Sequence, residues 1–529
     1  MPKIVKFRPT EFHFHSSLLP LMSRPQQIDL GPSFKYYAYP TPDTSSTENA
    51  LYAAKARVLM VLPEPNIDVL RCAKYFSDMF CQLNFEPIPP NDPTIYDVEG
   101  WLANTNYSEK RKQQLRDIRA RMPEHITYLE TRWKKNKCFV KKESYPSYKP
   151  PRGIFSRSDY AKVWLGPIAK AMEAIAYKKD WFIKHVPVKD RPKFIMDRMV
   201  RPGYTYYNTD HSRFEAHMTA AVMKTFELVF YKHLLRNYPR EYDMLEDLIS
   251  TENHCCFKDF SFDVSATRMS GDMITSLGNG ITNLLATAFV MHEHNLNIKD
   301  FPIFVEGDDG LFALPNNIKI SGSDYTALGF DVKLESSTSP SFGCFCGMVY
   351  SDIEPYQLVK DPVKTLMNFG WSDKIVKSAK KKEELLNAKA MSLLCELPNC
   401  PIVPFLALRV LKSRKTKKIR AKFNLDGYHK VDFQGSVRGN CLDAVVDCEA
   451  FLSTHPVNID QNTRQLCSDL YGFSPTLQVM IEHRLMTCPF PYDFPEIDWI
   501  LGSNKDVCDY SQNFVIAIDE RNVRSPPRK

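Results

Sequence analysis

Phe304-Val305-Glu306-Gly307-Asp308-Asp309-Gly310-Leu311-Phe312 sets two adjacent carboxylates at the tip of a hairpin with apolar arms. Glycines on both sides permit the positive φ of a tight turn, and the arms carry the β-branched and aromatic residues of strands. Neighbouring like charges repel, so stability alone does not select them. A hard divalent cation does, because Mg²⁺ takes carboxylate oxygens in an octahedral shell and bridges them to phosphates. The tripeptide alone is weak, arising by chance in about one chain in eight of this length at ordinary Gly and Asp usage. The reading turns on whether the rest of a phosphoryl-transfer site accompanies it.

Roughly a hundred residues earlier, Asn208-Thr209-Asp210-His211-Ser212-Arg213-Phe214-Glu215 places Asp210 at the end of a strand-like alternation over Tyr204–Thr209. Two such strands side by side bring Asp210 and Asp308 to one end of a sheet. That supplies carboxylates for two metal ions ~4 Å apart and an in-line phosphoryl displacement. One ion lowers the pKa of an attacking hydroxyl, the other neutralises a leaving pyrophosphate, and Asp309 is a secondary ligand. Between them, Arg268-Met269-Ser270-Gly271-Asp272-Met273 opens a long helix expected over about Met273 to His292. Thr275 and Asn279 stand four apart on one of its faces. A carboxamide there can donate to and accept from a ribose 2′-hydroxyl, the group separating RNA precursors from DNA precursors. Taken singly, each piece has a plainer reading: a strand-end aspartate, a helix start, a surface asparagine.

Together they have a joint reading. Asp210 with an acid five places on, then Ser270-Gly271-x-x-x-Thr275-x-x-x-Asn279, then Gly307-Asp308-Asp309, resemble motifs A, B and C of the RNA-dependent RNA polymerases of positive-strand RNA viruses. Arg268 to Met273 and Leu277-Gly278-Asn279 resemble especially the tombusvirus-like branch. Phe139-Val140-Lys141-Lys142-Glu143, followed by Lys149-Pro150-Pro151-Arg152-Gly153-Ile154-Phe155-Ser156-Arg157, resembles the basic fingers motif that lines the NTP channel. Leu328-Gly329-Phe330-Asp331-Val332-Lys333 is similar to motif D, and Phe345-Cys346-Gly347-Met348-Val349-Tyr350 to motif E.

The resemblance implies roles. Asp210, Asp308 and Asp309 hold two Mg²⁺ ions, with Mn²⁺ a substitute. Glu215, Asn279, Thr275 and Ser270 meet the incoming ribose, and Lys141, Arg152 and Arg157 bind the triphosphate through charge-assisted contacts. Lys333 is a general acid for the leaving pyrophosphate. One departure stands out: the second acid of motif A is usually Asp and here is Glu215, so its carboxylate must reorient to read the sugar. Implied partners are template and nascent RNA, NTPs and other viral replication proteins, in host cytoplasm at membrane-associated replication complexes. A reverse transcriptase shares the two metals, but Glu306-Gly307 before the acid pair and the presence of Asn279 disfavour it. A catalytically dead RNA-binding scaffold is disfavoured by three intact acids.

The implied fold is α+β, a closed right hand whose palm is an antiparallel sheet backed by helices. Residues 1–200 would form an N-terminal extension and fingers, 201–365 the palm (with 216–265 an inserted fingers segment), and 366–529 a helical thumb and tail. Further helices are expected over Ser108–Arg121, Asp373–Leu394 and Val403–Leu411. Strands are expected over Phe301–Val305, Leu311–Ala313, Phe330–Leu334 and Cys344–Tyr350. The basic runs Lys377–Lys382 and Arg414–Lys422 are candidate contacts for RNA phosphates. His211 and His217 read as structural, because no Cys or His cluster accompanies them.

Composition sets the outer bounds. With 529 residues, 43% hydrophobic and 25% charged, the chain can bury a large core. No apolar run approaches the ~20 residues of a membrane span, and the N-terminus lacks a signal-peptide core, so a soluble intracellular protein is expected. The 14 cysteines are scattered without zinc-knuckle spacing and are expected to be free thiols. A net charge of +7 permits a nucleic-acid partner without requiring one.

Overall fold

The computed structural model describes residues 10–14, 27–34, 37–211, 213–342, 344–373, 376, 378–413, 418–424, 441–494 and 504–514. The elements that build the site are, in chain order, helix α1 (Thr47–Val58), strands β1 (Lys135–Val140) and β2 (Gly153–Arg157), strand β3 (Tyr204–His211) and the short helix α2 (Phe214–His217). Strands β4 (Asn253–Cys256) and β5 (Phe260–Val264) follow, then helix α3 (Thr275–Glu293). Strands β6 (Ile303–Glu306), β7 (Asp309–Pro315) and β8 (Val332–Ser337) complete the sheets. Helices α4 (Pro362–Phe369), α5 (Ala379–Glu396) and α6 (Val403–Lys412) come after.

A four-stranded antiparallel sheet, ordered β8-β3-β7-β6, separates two hydrophobic cores. Successive side chains of a strand point to opposite faces, and here both faces are covered. Tyr207, Val305, Phe312 and Leu314 enter one core with Leu277, Ile281, Leu284 and Leu285 of α3. Tyr206, Phe304, Leu311 and Ala313 enter the other, with Leu366 of α4, Met391 of α5 and Leu406 of α6. Tyr207 and Phe312 face each other across β3 and β7 with ring centroids 5.0 Å apart. A one-residue slip would send every one of these side chains to the wrong core, so the register is strongly specified. α3 is buried along nearly its whole length, and the polar stripe of Asn279, Asn283 and Thr287 is buried with its apolar residues.

A second sheet of five strands runs from the two-residue strand His13–Phe14 through β5, β4 and β1 to β2. β1 and β4 are parallel, and the remaining pairs are antiparallel. Residues far apart in sequence, on either side of the Asp210 strand, therefore share one sheet. α1 lies on it through a face of small residues, Ala50, Ala53 and Ala54 with Val58, against Val140, Phe155 and Phe262. Ser46 caps α1 by accepting from the Asn49 amide at 3.2 Å. Ile28, Leu30 and Phe34 join the core of α4 to α6 rather than that of α3.

Most element positions agree with the sequence reading to within a few residues. Two do not. Cys344–Tyr350 is not one strand: Cys346 (φ +55°) and Gly347 (φ +74°) form a turn, with Phe345 bridged to Met348, and only Val349–Tyr350 is strand. The helix expected from Asp373 begins only at Ala379, because Trp371–Ser372 is held extended against Ile28–Asp29. Parts of the two basic runs (377 and 414–417) and the polar tail at 521–529 lie outside the described residues. Among the described residues, the cysteines are free thiols, with Cys72 and Cys344 exposed, and no helix is long and apolar enough to cross a membrane.

Candidate active site

Glu306 and Asp309 are the closing pair of the β6–β7 hairpin, which leaves Gly307-Asp308 as a two-residue turn. Only Gly307 has positive φ (+62°), the signature of a II′ turn with glycine at its first central position. Gly310 has a different reason. A Cβ there would stand 2.6 Å from Thr209 Oγ1 and 3.1 Å from Asn283 Nδ2, so its absence lets β3 and α3 close on the turn. Asn283 then donates from Nδ2 to the Asp308 carbonyl at 2.9 Å, tying the turn to α3.

The register aligns the charged groups. Lys333 of β8 lies opposite Asp210 of β3. Thr209 lies opposite Gly310, so Asp210, one step further, stands across from Asp309, and Asp309 pairs with Glu306. Continued by one step, the register sets Lys333, Asp210, Asp309 and Glu306 in a row across all four strands, and the charge of Asp210 acts on Asp309. Asp210 and Asp308 are open to solvent, and Asp309 is half-buried. Burial, then Asp308, Asp210 and Glu306, push the Asp309 carboxyl up to about 6, against a hydrogen bond from Cys346 that lowers it. The protein mass around the turn, then the charge of Glu215, push the Asp308 carboxyl up although its surface stays open, with its own backbone amide, Arg57 and Arg152 opposing. Burial likewise raises Glu306.

Asp309, not Asp308, is therefore the direct cross-strand neighbour of Asp210, while Asp308 answers to charges on the opposite side of the turn. Among the described residues, no group of three His, Cys, Asp or Glu side chains is close enough to hold a metal ion. The three expected ligands Asp210, Asp308 and Asp309 are therefore not gathered into one three-carboxylate set, and a Mg²⁺ ion held here would keep several waters or substrate phosphates beside one or two of them. The donor set is all oxygen and its members repel one another, so these residues fit a hard cation.

Around this row the other expected residues fall into place unequally. Glu215, buried on α2, pairs through Oε2 with Nη1 of Arg57 from α1. Arg268, fully buried against Glu227, donates from its backbone amide to the Glu215 carbonyl at 3.3 Å and from Nε to Asn279 Oδ1 at 3.3 Å. Glu215 and Asn279 are thereby linked through one arginine. The Ser270 hydroxyl accepts from the Phe155 amide at 3.3 Å and donates to the Gly153 carbonyl at 3.2 Å. Thr275 Oγ1 donates to the Met269 and Asp272 carbonyls at 3.1 and 3.0 Å. Both hydroxyls shape the loop that carries α3 onto β2.

The basic residues separate. Lys141 Nζ lies 2.8 Å and Arg152 Nη1 3.6 Å from the Glu143 carboxylate, which also accepts from the Tyr145 hydroxyl at 2.8 Å. Although burial opposes it, these partners hold the Glu143 carboxyl below the ordinary carboxylate range. Arg157 does not join Lys141 and Arg152 as expected. Its guanidinium is 1% exposed and makes a two-pronged pair with Asp272, at 2.6 and 2.7 Å, so it braces β2 against the α3 loop and is not open to a triphosphate. Lys333 is exposed and paired with Glu335, which raises it. His211 and His217 are buried and lowered by burial; they pack with Phe330.

Three site residues escaped the sequence reading: Arg57, Glu143 and Asn283. Asn283 carried a signal, being one turn beyond Asn279 on the same helix. Glu143 stands within the basic run, where nothing in the sequence marks it as the counter-charge of Lys141 and Arg152. Arg57 carries no signal, because nothing local marks the arginine at the end of α1 as reaching a partner 158 residues away.

No curated protein shows significant similarity to the chain. A family profile described as RNA dependent RNA polymerase matches residues 22–415, well over half of the chain and spanning every residue of the row. The chain therefore belongs to the RNA-dependent RNA polymerases of positive-strand RNA viruses: it is an RNA-directed RNA polymerase, a nucleotidyltransferase that binds RNA and nucleoside triphosphates.

Proposed function

We propose that this chain copies viral RNA by two-metal nucleotidyl transfer at the Asp210–Asp309 row. The observation that carries the reading is the register itself, which lines up Lys333, Asp210, Asp309 and Glu306 beside the Asp308 turn. A sheet selected for stability alone would not set acids side by side at one open end. Asp210, Asp308 and Asp309 would hold Mg²⁺, with Mn²⁺ as a substitute. When bound, the ions supply charge neutralisation and a more acidic 3′-hydroxyl.

The chain's own residues do the rest. Asp308 and Asp210 stand in solvent where an RNA 3′ end and an α-phosphate can reach them. Lys141 and Arg152 already share the Glu143 carboxylate, and a triphosphate offers both a stronger anionic partner. Glu215 and Asn279 are the ribose readers: a 2′-hydroxyl donates to the carboxylate and accepts from the carboxamide, whose Oδ1 is taken by Arg268. Lys333 keeps its proton through Glu335 and can deliver it to pyrophosphate only by leaving that partner.

The right-hand architecture, with fingers at 1–200, palm at 201–365 and thumb from 366 onward, is supported by the central sheet standing between two cores. The N-terminal residues Ile28 to Phe34, packed with the thumb helices, favour a closed hand. Placement in the tombusvirus-like branch rests on Arg268 to Met273 and Leu277 to Asn279 alone. Purified protein with RNA template, NTPs and Mg²⁺ should make product that Asp308→Ala abolishes. Continued synthesis by that variant would refute the site.

A further inference from the structure

Glu215 is the longer acid at a position where the family resemblance expects aspartate, and it does not stand alone. Its Oε2 accepts from Nη1 of Arg57, and the two side chains are only 9% and 12% exposed. Arg57 sits in the last turn of α1. That helix is anchored through Ala50, Ala53, Ala54 and Val58 to the sheet of β1 and β2, whose connection begins at Lys141 and ends at Arg152. The other charges facing Arg57 are the Arg213 guanidinium and the Asp308 carboxyl.

A glutamate has one more rotatable bond than an aspartate, and fixing it costs conformational entropy that a reader must lose before it can discriminate. Pairing one oxygen with Arg57 removes that freedom in advance. It also neutralises a carboxylate that would otherwise add to the repulsion around Asp308. The remaining oxygen keeps lone pairs for a further donor.

We propose that Arg57 is a positioning residue for sugar selection, holding the Glu215 carboxylate where it accepts from the 2′-hydroxyl of an incoming ribonucleotide. This rests on the polymerase reading and extends it to the N-terminal helix. Arg57 acts through Glu215 and is not itself a catalytic residue.

The test measures kcat/KM for ATP and for 2′-deoxy-ATP on a primed RNA template with wild type, Arg57→Gln, Arg57→Lys, Glu215→Gln and the Arg57→Gln/Glu215→Gln double variant. Arg57→Gln should lower the ribo-to-deoxy ratio about tenfold, the worth of one well-formed hydrogen bond. The double variant should lose no more than Glu215→Gln alone, because both act through one carboxylate. Arg57→Lys, which keeps the charge, should fall between and guards against a folding defect in the glutamine variant. An equal loss for both nucleotides, or full additivity with Glu215→Gln, would overturn the assignment. Absence of any product from wild type would count against the polymerase reading instead. Equilibrium binding of the two nucleotides then decides the Arg57 question without turnover: a ratio unchanged in Arg57→Gln overturns it, and a lowered ratio supports it.

Discussion

Asp309 offers a quantitative handle on the charge row. Its carboxyl stands at about 6 in the folded protein against 3.8 for an ordinary aspartate, through burial first and then Asp308, Asp210 and Glu306. Between those values the folded state binds more protons than the unfolded one, so stability falls as pH rises through the window. Above about pH 6 the whole cost is present, on the order of 3 kcal/mol at 1.36 kcal/mol per unit. Around pH 5 it is roughly half of that. Asp309→Asn removes the ionisable group, so without divalent cation the variant should be more stable than wild type at pH 7.5. That advantage should shrink at pH 5. Adding Mg²⁺ should stabilise wild type at pH 7.5 and do so less at pH 5, because protonation competes with the cation. Thermal unfolding of both proteins at the two pH values, with and without Mg²⁺, reads all four quantities. A wild type whose stability relative to Asp309→Asn ignores both pH and Mg²⁺ would show that the row is not electrostatically strained, and the argument from repulsion would fail.

Two other structural assignments give separate expectations. Arg157→Met or Asp272→Asn alone should destabilise by about 3–5 kcal/mol, because each leaves a charged or polar partner buried without its mate; Arg157→Met/Asp272→Leu should recover much of the loss. Unfolding midpoints check this, and an Arg157→Met protein of normal stability with a raised KM for NTPs would return Arg157 to the triphosphate site. Asn283→Ala removes the 2.9 Å bond to the Asp308 carbonyl and should lower kcat about tenfold or more while leaving KM for NTPs unchanged, since a loosened turn misplaces the acids without touching substrate. A proportional rise in KM would mean that Asn283 contacts the nucleotide directly.

How much of this was legible in the sequence differs from residue to residue. The Asp-Asp turn and the strand of Asp210 were readable because glycine, β-branched and aromatic residues impose local geometry whatever surrounds them. Their mutual register was not. It is set by alternate side chains entering two different cores, and only the folded sheet shows that Asp309 rather than Asp308 stands across from Asp210. Arg152 and Arg157 look alike in sequence, five residues apart in one basic run. Position along the chain decides the difference: Arg152, just before β2, is left beside Glu143, and Arg157, the last residue of β2, is buried on Asp272. The Cys344–Tyr350 segment misled because apolar residues at strand spacing hid the positive φ of Cys346 and Gly347. Long-range ion pairs such as Arg57 with Glu215 leave no local trace.

The most direct measurement of the central claim is anomalous diffraction from crystals soaked with Mn²⁺, RNA and a non-hydrolysable NTP. An anomalous peak ligated jointly by Asp210 and by a carboxylate of the Asp308-Asp309 pair is the predicted result, lost from crystals of Asp210→Asn. A cation bound by only one of the two segments, or none at the row while the nucleotide is in place, would contradict the account.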